Sequence, residues 1–263
     1  MPAPSRQLVP ASSRHVRRPA RGMAVTGLAA VCLAVSLPGC KSANTSALPS
    51  EHAQTSTIET ACARLVAAEP AGWPTAATAV FRDAETHRPQ VTQALIDALD
   101  TSPAAPGRQI GIAVLGALSR QDERAQNWLR QTLAARDEHA AEAALALGRS
   151  ASTSHIPALL AVVDDRIASP TLRAACAASL LRLGERQTVR KFVAALLLAD
   201  TPTGHALQAE VGLASSSRWA HDRYLLIAAI DECSGQDFEL DTDAPWPQLQ
   251  QAVGRVTQWL EAP

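Results

Sequence analysis

The sequence predicts an all-α protein: an α-α superhelix of antiparallel helix pairs with a C-terminal cap helix. From about residue 58 onward, apolar residues recur at intervals of three and four, which places them on one face of a helix. Glycine or proline interrupts this pattern roughly every 10 to 18 residues, as helix ends require. Runs of β-branched residues bounded by turns are missing, which argues against strands. The expected helices are 58–69, 74–86, 89–100, 107–119, 122–136, 138–149, 155–165, 170–184, 186–199, 203–214, 217–233 and 246–261.

Composition excludes several classes of protein. The 263 residues include 24 basic and 25 acidic side chains, a balance that argues against a nucleic-acid partner. A hydrophobic content of 47% is too high for a disordered chain. No apolar run is long enough for a polytopic membrane protein, which needs about 20 residues per span.

The first 39 residues have the anatomy of a signal peptide. They contain five arginines and no acid, and an apolar stretch of 15 residues, Met23 to Leu37, follows the basic segment. Leu37-Pro38-Gly39-Cys40 comes next and resembles the bacterial lipobox. This resemblance implies cleavage after Gly39 and acylation of Cys40, so that palmitate-type chains anchor the protein to a membrane. The alternatives are an ordinary secretory signal, in which Cys40 is incidental, and a twin-arginine signal at Arg17-Arg18.

Residues 40–57 are small, polar and without periodicity, which is typical of a flexible tether. Together with the lipobox, this segment predicts a lipid-anchored protein of the cell envelope. Aspartate is missing directly after Cys40, which resembles lipoproteins delivered to the outer membrane of Gram-negative bacteria. The folded domain is therefore expected to face the periplasm.

An alanine-rich helix occurs three times in the middle of the chain. Gly111 to Ser119, Ala140 to Gly148 and Cys176 to Gly184 align, and each precedes a second apolar helix. The unit of about 30 to 36 residues falls in the range of helical repeats. Gly148 and Gly184 are predicted to end their helices in a left-handed conformation. The predicted N-caps are Asp122, Ser154, Ser169 and Thr201.

These repeats resemble HEAT-like repeats of the phycobilisome-lyase type, most clearly over Arg173 to Gly184. The resemblance covers roughly residues 105–233, and less securely 58–104, so residues 58–233 are interpreted as the repeat domain. A helical bundle without repeats is the alternative. Cys233-Ser-Gly-Gln-Asp-Phe238 resembles the terminal segment of bacterial HEAT-repeat proteins. Residues 234–263 are therefore expected to form a loop and cap helix, with Phe238, Trp246 and Trp259 as packing residues or a binding hot spot.

Candidate chemical groups are few, and none has the spacing of a known site. Cys62, Cys176 and Cys233 are expected to be buried free thiols, although one disulfide is possible. Asp237, Glu239, Asp241 and Asp243 alternate as calcium ligands do, but Thr242 and Gln248 replace the glycine and glutamate of a calcium loop. His139 with Glu142 could form a dyad, and Ser215 to Ser217 with His221 and Asp222 supply hydrolase residue types. No catalytic, cofactor or metal site is predicted.

The preferred functional hypothesis is a scaffold that binds a protein or peptide partner through its helical surface, without enzymatic activity, cofactor or small-molecule substrate. One alternative is a structural or assembly factor of the envelope. The other is an enzyme related to the lyases that carry similar repeats, which would need a pocket with convergent polar groups.

Overall fold

All regular secondary structure in the described part of the protein is helical. The structure, a computed structural model, describes residues 51–213, 220–241 and 245–262, all within one compact unit, Ser42–Pro263. These residues form eleven α-helices and no strand, which confirms the predicted all-α class. The helices are α1 (Glu51–Ala67), α2 (Trp73–Thr101), α3 (Arg108–Leu118), α4 (Glu123–Ala135), α5 (Ala140–Arg149), α6 (Ile156–Asp164), α7 (Pro170–Arg182), α8 (Arg186–Leu197), α9 (Pro202–Val211), α10 (Ala220–Ser234) and α11 (Trp246–Glu261). No described helix combines the length and the apolar character needed to cross a bilayer.

The first two helices of the described residues, α1 and α2, differ from the prediction. Residues 74–86 and 89–100 form one element, α2, with a kink at His87, where φ is −129° and ψ is 38°. Pro89 causes the kink, since proline lacks an N–H and clashes with the preceding turn. In addition, α1 begins at Glu51, inside the predicted tether 40–57. Residues 51–57 contain neither glycine nor proline, so the helix extends beyond its apolar part without a local penalty.

Side-chain capping fixes the starts of three helices, α4, α7 and α9. The side chains of Asp122, Ser169 and Thr201 accept hydrogen bonds from the backbone N–H of Arg124, Leu172 and Gly204, as predicted for N-caps. The prediction for Ser154 is wrong. A 3-10 turn over Thr153–His155 precedes α6, and His155 takes the N-cap position without a side-chain cap.

The alanine-rich helices α3, α5 and α7 pack against one another in sequence, with α1 against α3 and α10 against α7. The helices that precede them in sequence, α2, α4 and α6, pack against α3, α5 and α7 respectively. Each alanine-rich helix makes its more extensive contact with the helix that precedes it and not, as the sequence suggested, with the helix that follows. The pattern of apolar residues could not reveal this difference, because it marks a buried face without identifying the neighbour.

Small residues allow the alanine-rich helices to approach closely. A Cβ built on Gly116 would lie 2.7 Å from Cβ of Ala146, and one on Gly148 would lie 2.6 Å from Cβ of Ser179. The Ser179 hydroxyl donates toward the carbonyl of Ala144 in α5, at 2.8 Å. Gly148 therefore lies inside α5 and serves helix packing, which corrects its predicted role as a helix terminator. Gly184, with φ of +90°, has the predicted left-handed conformation after α7.

The C-terminal helix packs against α8. Its buried face consists of Ala252, Val253, Val256 and Leu260. Phe238 is buried, and its ring centroid lies 6.0 Å from that of Trp259. Arg255 fixes the preceding loop, because its guanidinium donates to the carbonyl of Phe238 at 2.7 Å. Phe238 and Trp259 are thus packing residues in the structure, whereas the side chain of Trp246 lies outside the described part.

Candidate functional site

The predicted lipidation site, Cys40, lies outside the described residues, as does the whole predicted signal peptide, residues 1–39. Ser215 to Ser217 and Asp243 also lie outside them.

The cysteines of the described residues are free thiols. Cys62 and Cys176 are buried, as predicted, and burial raises the pKa of each to about 12. Cys233 is half-buried, and burial raises its pKa as well. Each thiol is therefore protonated at neutral pH, which is the state that is inert as a nucleophile.

The structure does not assemble the proposed dyad of His139 and Glu142. His139 lies at the N-cap position of α5, and its Nε2 is 3.5 Å from Oε1 of Glu138. Nε2 of His139 and Oε2 of Glu142 are both shielded from solvent, and neither has a hydrogen-bond partner. Because no hydrogen bond joins the ring to the Glu142 carboxylate, the base-orienter pair is not formed.

Asp222 is a buried residue that contacts a neighbouring helix. The residue is buried at the start of α10, burial raises its pKa, and a hydrogen bond from the Thr171 side chain opposes that shift. His221, its neighbour in sequence, is exposed. The hydrogen bond from Thr171, at the start of α7, to the Asp222 carboxylate connects α7 with α10. This contact gives Asp222 a structural role that involves no catalysis.

The acidic residues near the C-terminus are engaged with the protein itself. Asp237 Oδ1 accepts from the backbone N–H of Glu239 at 2.8 Å, and the Glu239 carboxylate lies 3.1 Å from Arg255. Glu239 has a φ of +56°, as in a tight turn. Across the described ranges, no three side chains of histidine, cysteine, aspartate or glutamate come close enough to hold a metal ion.

Two buried arginines are the structural residues that the sequence analysis missed. Arg173 is 2% exposed, and it donates to the carbonyls of Val163 at 2.8 Å, Val211 at 2.6 Å and Gly212 at 3.1 Å. Arg108 is also buried and donates to the carbonyl of Leu99. Both arginines lie at the same position of the repeat, three residues before Gly111 and Cys176, and this coincidence was the available signal.

The alanine-rich helices carry small apolar side chains that are partly open to solvent. We call four of these half-buried residues, Ala113 and Ala117 on α3 and Ala141 and Leu145 on α5, the alanine face. Charged residues are close to them in sequence: Glu142 follows Ala141, Arg120 follows the end of α3, and Arg149 ends α5, where its carbonyl accepts from the Arg120 guanidinium at 3.0 Å. An apolar surface with a polar border is typical of a protein interface.

A separate, concave region lies between α1 and α2. This open groove of about 280 Å³ has a floor of Ala63, Ala94 and Ala98. Glu59 and Asp97 supply carboxylates, and Asp97 accepts from the Gln93 side chain at 2.9 Å. The groove is open to solvent, unlike the enclosed pockets that hold small ligands.

Comparisons with protein-family models, with curated proteins and with solved structures find no match to this chain. The likeness of residues 105–233 to HEAT-like repeats therefore remains a resemblance of sequence.

Proposed function

We propose that this protein is a lipid-anchored component of the cell envelope whose helices form a HEAT-like α-α superhelix that binds a protein or peptide partner. The observation that carries the proposal is the repeated close contact between successive alanine-rich helices, Gly116 with Ala146 and then Gly148 with Ser179. Stacked helix pairs create extended surfaces that bind partners by shape and need no reactive residue. The proposed role is therefore binding, not catalysis.

Repetition of contacts supports the superhelical arrangement. Each alanine-rich helix packs against the next one of its kind, from α3 through α5 to α7. The buried arginines occur at equivalent positions of α3 and α7. A bundle without repeats would have no reason to place the same side chain in the same environment twice.

The alanine face is the proposed binding surface. Its small side chains leave room for a partner's side chains, and the half-buried Leu145 offers apolar area. A photoreactive amino acid at Leu145 is expected to give a discrete cross-linked product in intact cells. The same group at the exposed Ala134 of α4 serves as the matched control and should give none.

Each outcome of cross-linking bears on the proposal. Products from Ala134 and not from Leu145 would move the binding surface to another side of the molecule. No product at either position, together with altered envelope morphology on deletion, would favour a structural or assembly factor instead. Substrate turnover abolished by a single polar substitution would favour the enzyme hypothesis.

The proposed anchor is tested separately at Cys40. A Cys40→Ser protein should lose incorporation of labelled palmitate and leave the membrane fraction, because two or three acyl chains are what anchor a lipoprotein stably. Cys32→Ser is the matched control, since Cys32 precedes the proposed cleavage point and should leave labelling unchanged. Continued labelling of Cys40→Ser would refute the anchor.

A further inference from the structure

The turn that joins α5 to α6 is strained. Ala151 has a φ of +58°, in the left-handed region that is unfavourable for residues other than glycine. Ser150 stabilises the turn, since its hydroxyl donates to the carbonyl of Leu147 at 2.7 Å. The turn then continues into the 3-10 segment that ends at His155.

His155 is fully buried without a hydrogen-bond partner. The side chain is 0% exposed, and neither Nδ1 nor Nε2 has a partner. Buried polar groups are nearly always hydrogen-bonded, so this ring is held in place at a cost in free energy. A second proton would add a charge that the site does not compensate.

Arg130 of α4 is the charged side chain that interacts electrostatically with the His155 ring. Its guanidinium donates to the side chain of Asn127. Burial lowers the pKa of His155 from its ordinary value of 6.5, and the positive charge of Arg130 lowers it further. Burial and the positive charge of Arg130 therefore both favour the neutral form of His155 in the folded site.

Helix α6 has few neighbours that could hold it once the turn opens. It is nine residues long, and among the described helices its extensive contact is with α7 alone. Arg173 attaches its far end, through the hydrogen bond to the Val163 carbonyl. Segments with few packing partners are the ones that open locally while the rest of a domain stays folded.

We propose that residues 150–164, the strained turn and α6, form an acid-sensitive element that opens locally when His155 is protonated. Opening would expose Leu159, Val162 and Val163, which are buried in the closed state. The element would thus present apolar surface in acid and hide it at neutral pH. This inference does not depend on the proposed partner or on the lipid anchor.

The direction of the pH dependence follows from the two protonation equilibria. In the open state His155 titrates near 6.5, whereas in the closed state it binds its proton more weakly. The closed state is therefore favoured above 6.5 and loses stability as the pH falls below it, by about tenfold in the opening equilibrium for each pH unit. This loss of stability ends at the pH at which the buried ring of His155 in the closed state itself becomes protonated.

Hydrogen exchange of the full chain measures this opening peptide by peptide. After correction for the intrinsic effect of pH on exchange, protection of residues 150–164 should fall between about pH 7.5 and about pH 5.5, by at most about tenfold. Protection of α7 should change far less. His155→Gln should remove the pH response of residues 150–164, while the exposed His205→Gln control should retain it.

Titration of the His155 ring by NMR provides a second measurement that needs no variant. A ring pKa below 6.5 is expected, with the closed state losing intensity in acid. The proposal is overturned if His155 titrates at or above 6.5, if residues 150–164 keep their protection in acid, or if His155→Gln retains the pH response. Should His155→Gln fail to fold, the wild-type titration and exchange still decide.

Discussion

Arg108 and Arg173 make the same pair of contacts in two different layers of the protein. Each guanidinium donates to a carbonyl near the C-terminal end of the preceding helix, Leu99 in α2 or Val163 in α6. Each also lies against an aromatic ring of the following helix, 5.8 Å from the centroid of Trp128 or 5.0 Å from that of Phe192. A helix C-terminus has unpaired carbonyls and partial negative charge, so a buried arginine there is compensated.

The layer between these two lacks such an arginine. The aligned position of the α5 repeat is Asp137, which precedes the helix and whose carboxylate accepts from the backbone N–H of His139 at 2.9 Å. The C-terminal ends of α4 and α6 are instead joined by a partly exposed ion pair between Arg136 and Asp165. The missing buried arginine coincides with the sparse contact between α5 and α6 and with the unpartnered His155.

Replacing Arg173 should strongly destabilise the fold. Arg173→Met removes donors to three buried carbonyls while keeping much of the side-chain volume, and we expect a loss of about 2–4 kcal/mol in the free energy of unfolding. Urea unfolding measures it. Arg190→Met is the matched control, because Arg190 forms a partly exposed ion pair with Glu261, worth about 0–1 kcal/mol. Equal losses in the two variants would contradict the role of Arg173.

The thiols should differ in reactivity. Burial raises the pKa of Cys62 and Cys176 to about 12, and both side chains are almost inaccessible, so alkylation of the native protein should be very slow. Cys233 is half-buried and should be modified first at a mildly alkaline pH. Peptide mapping after timed iodoacetamide treatment gives the order. Modification of Cys176 before Cys233 in folded protein would be inconsistent with the described core.

Helix positions were largely predictable because their causes are local. The period of apolar residues, Pro170 at the first helical position and Ser169 at the N-cap fix the start of α7 within the chain segment itself. The predicted and observed helices, 170–184 and Pro170–Arg182, differ only at the end, where Gly184 leaves the helix. Such signals need no knowledge of the neighbouring helices.

The contacts between helices were not predictable, since they depend on residues far apart in sequence. Nothing local indicates that Gly148 faces Ser179, or that Arg173 reaches Gly212. Gly148 was therefore interpreted as a helix terminator, which is what glycine near the end of an alanine-rich segment commonly is. The same limitation applies to the alanine face, because half-buried alanine leaves no distinct signal in a sequence rich in alanine.

Asp222→Asn should stabilise the protein at neutral pH. Because burial raises the pKa of Asp222, ionisation of this carboxylate opposes folding above the unfolded value of 3.8, and its penalty grows until the folded pKa is passed. Asparagine has no such charge and can still accept from Thr171. The stability difference between the two proteins, measured by urea unfolding, should shrink as the pH is lowered from about 7 through the raised pKa of Asp222 towards the unfolded value of 3.8. A difference that is constant with pH would mean that Asp222 is not the titrating group.

A methyl group at Gly148 should separate α5 from α7. The added Cβ would lie 2.6 Å from Cβ and 2.7 Å from Cα of Ser179, so one helix must shift, at a cost of about 1–3 kcal/mol. Gly254→Ala is the matched control, because a Cβ on this helical glycine meets no atom within 4 Å and should stabilise by up to about 1 kcal/mol. Ser179→Gly combined with Gly148→Ala should recover part of the loss, since it removes the Cβ and the hydroxyl of Ser179, while the close approach to its Cα remains. If Gly148→Ala stabilised the protein as Gly254→Ala does, the alanine-rich helices could not approach as closely as the structure places them.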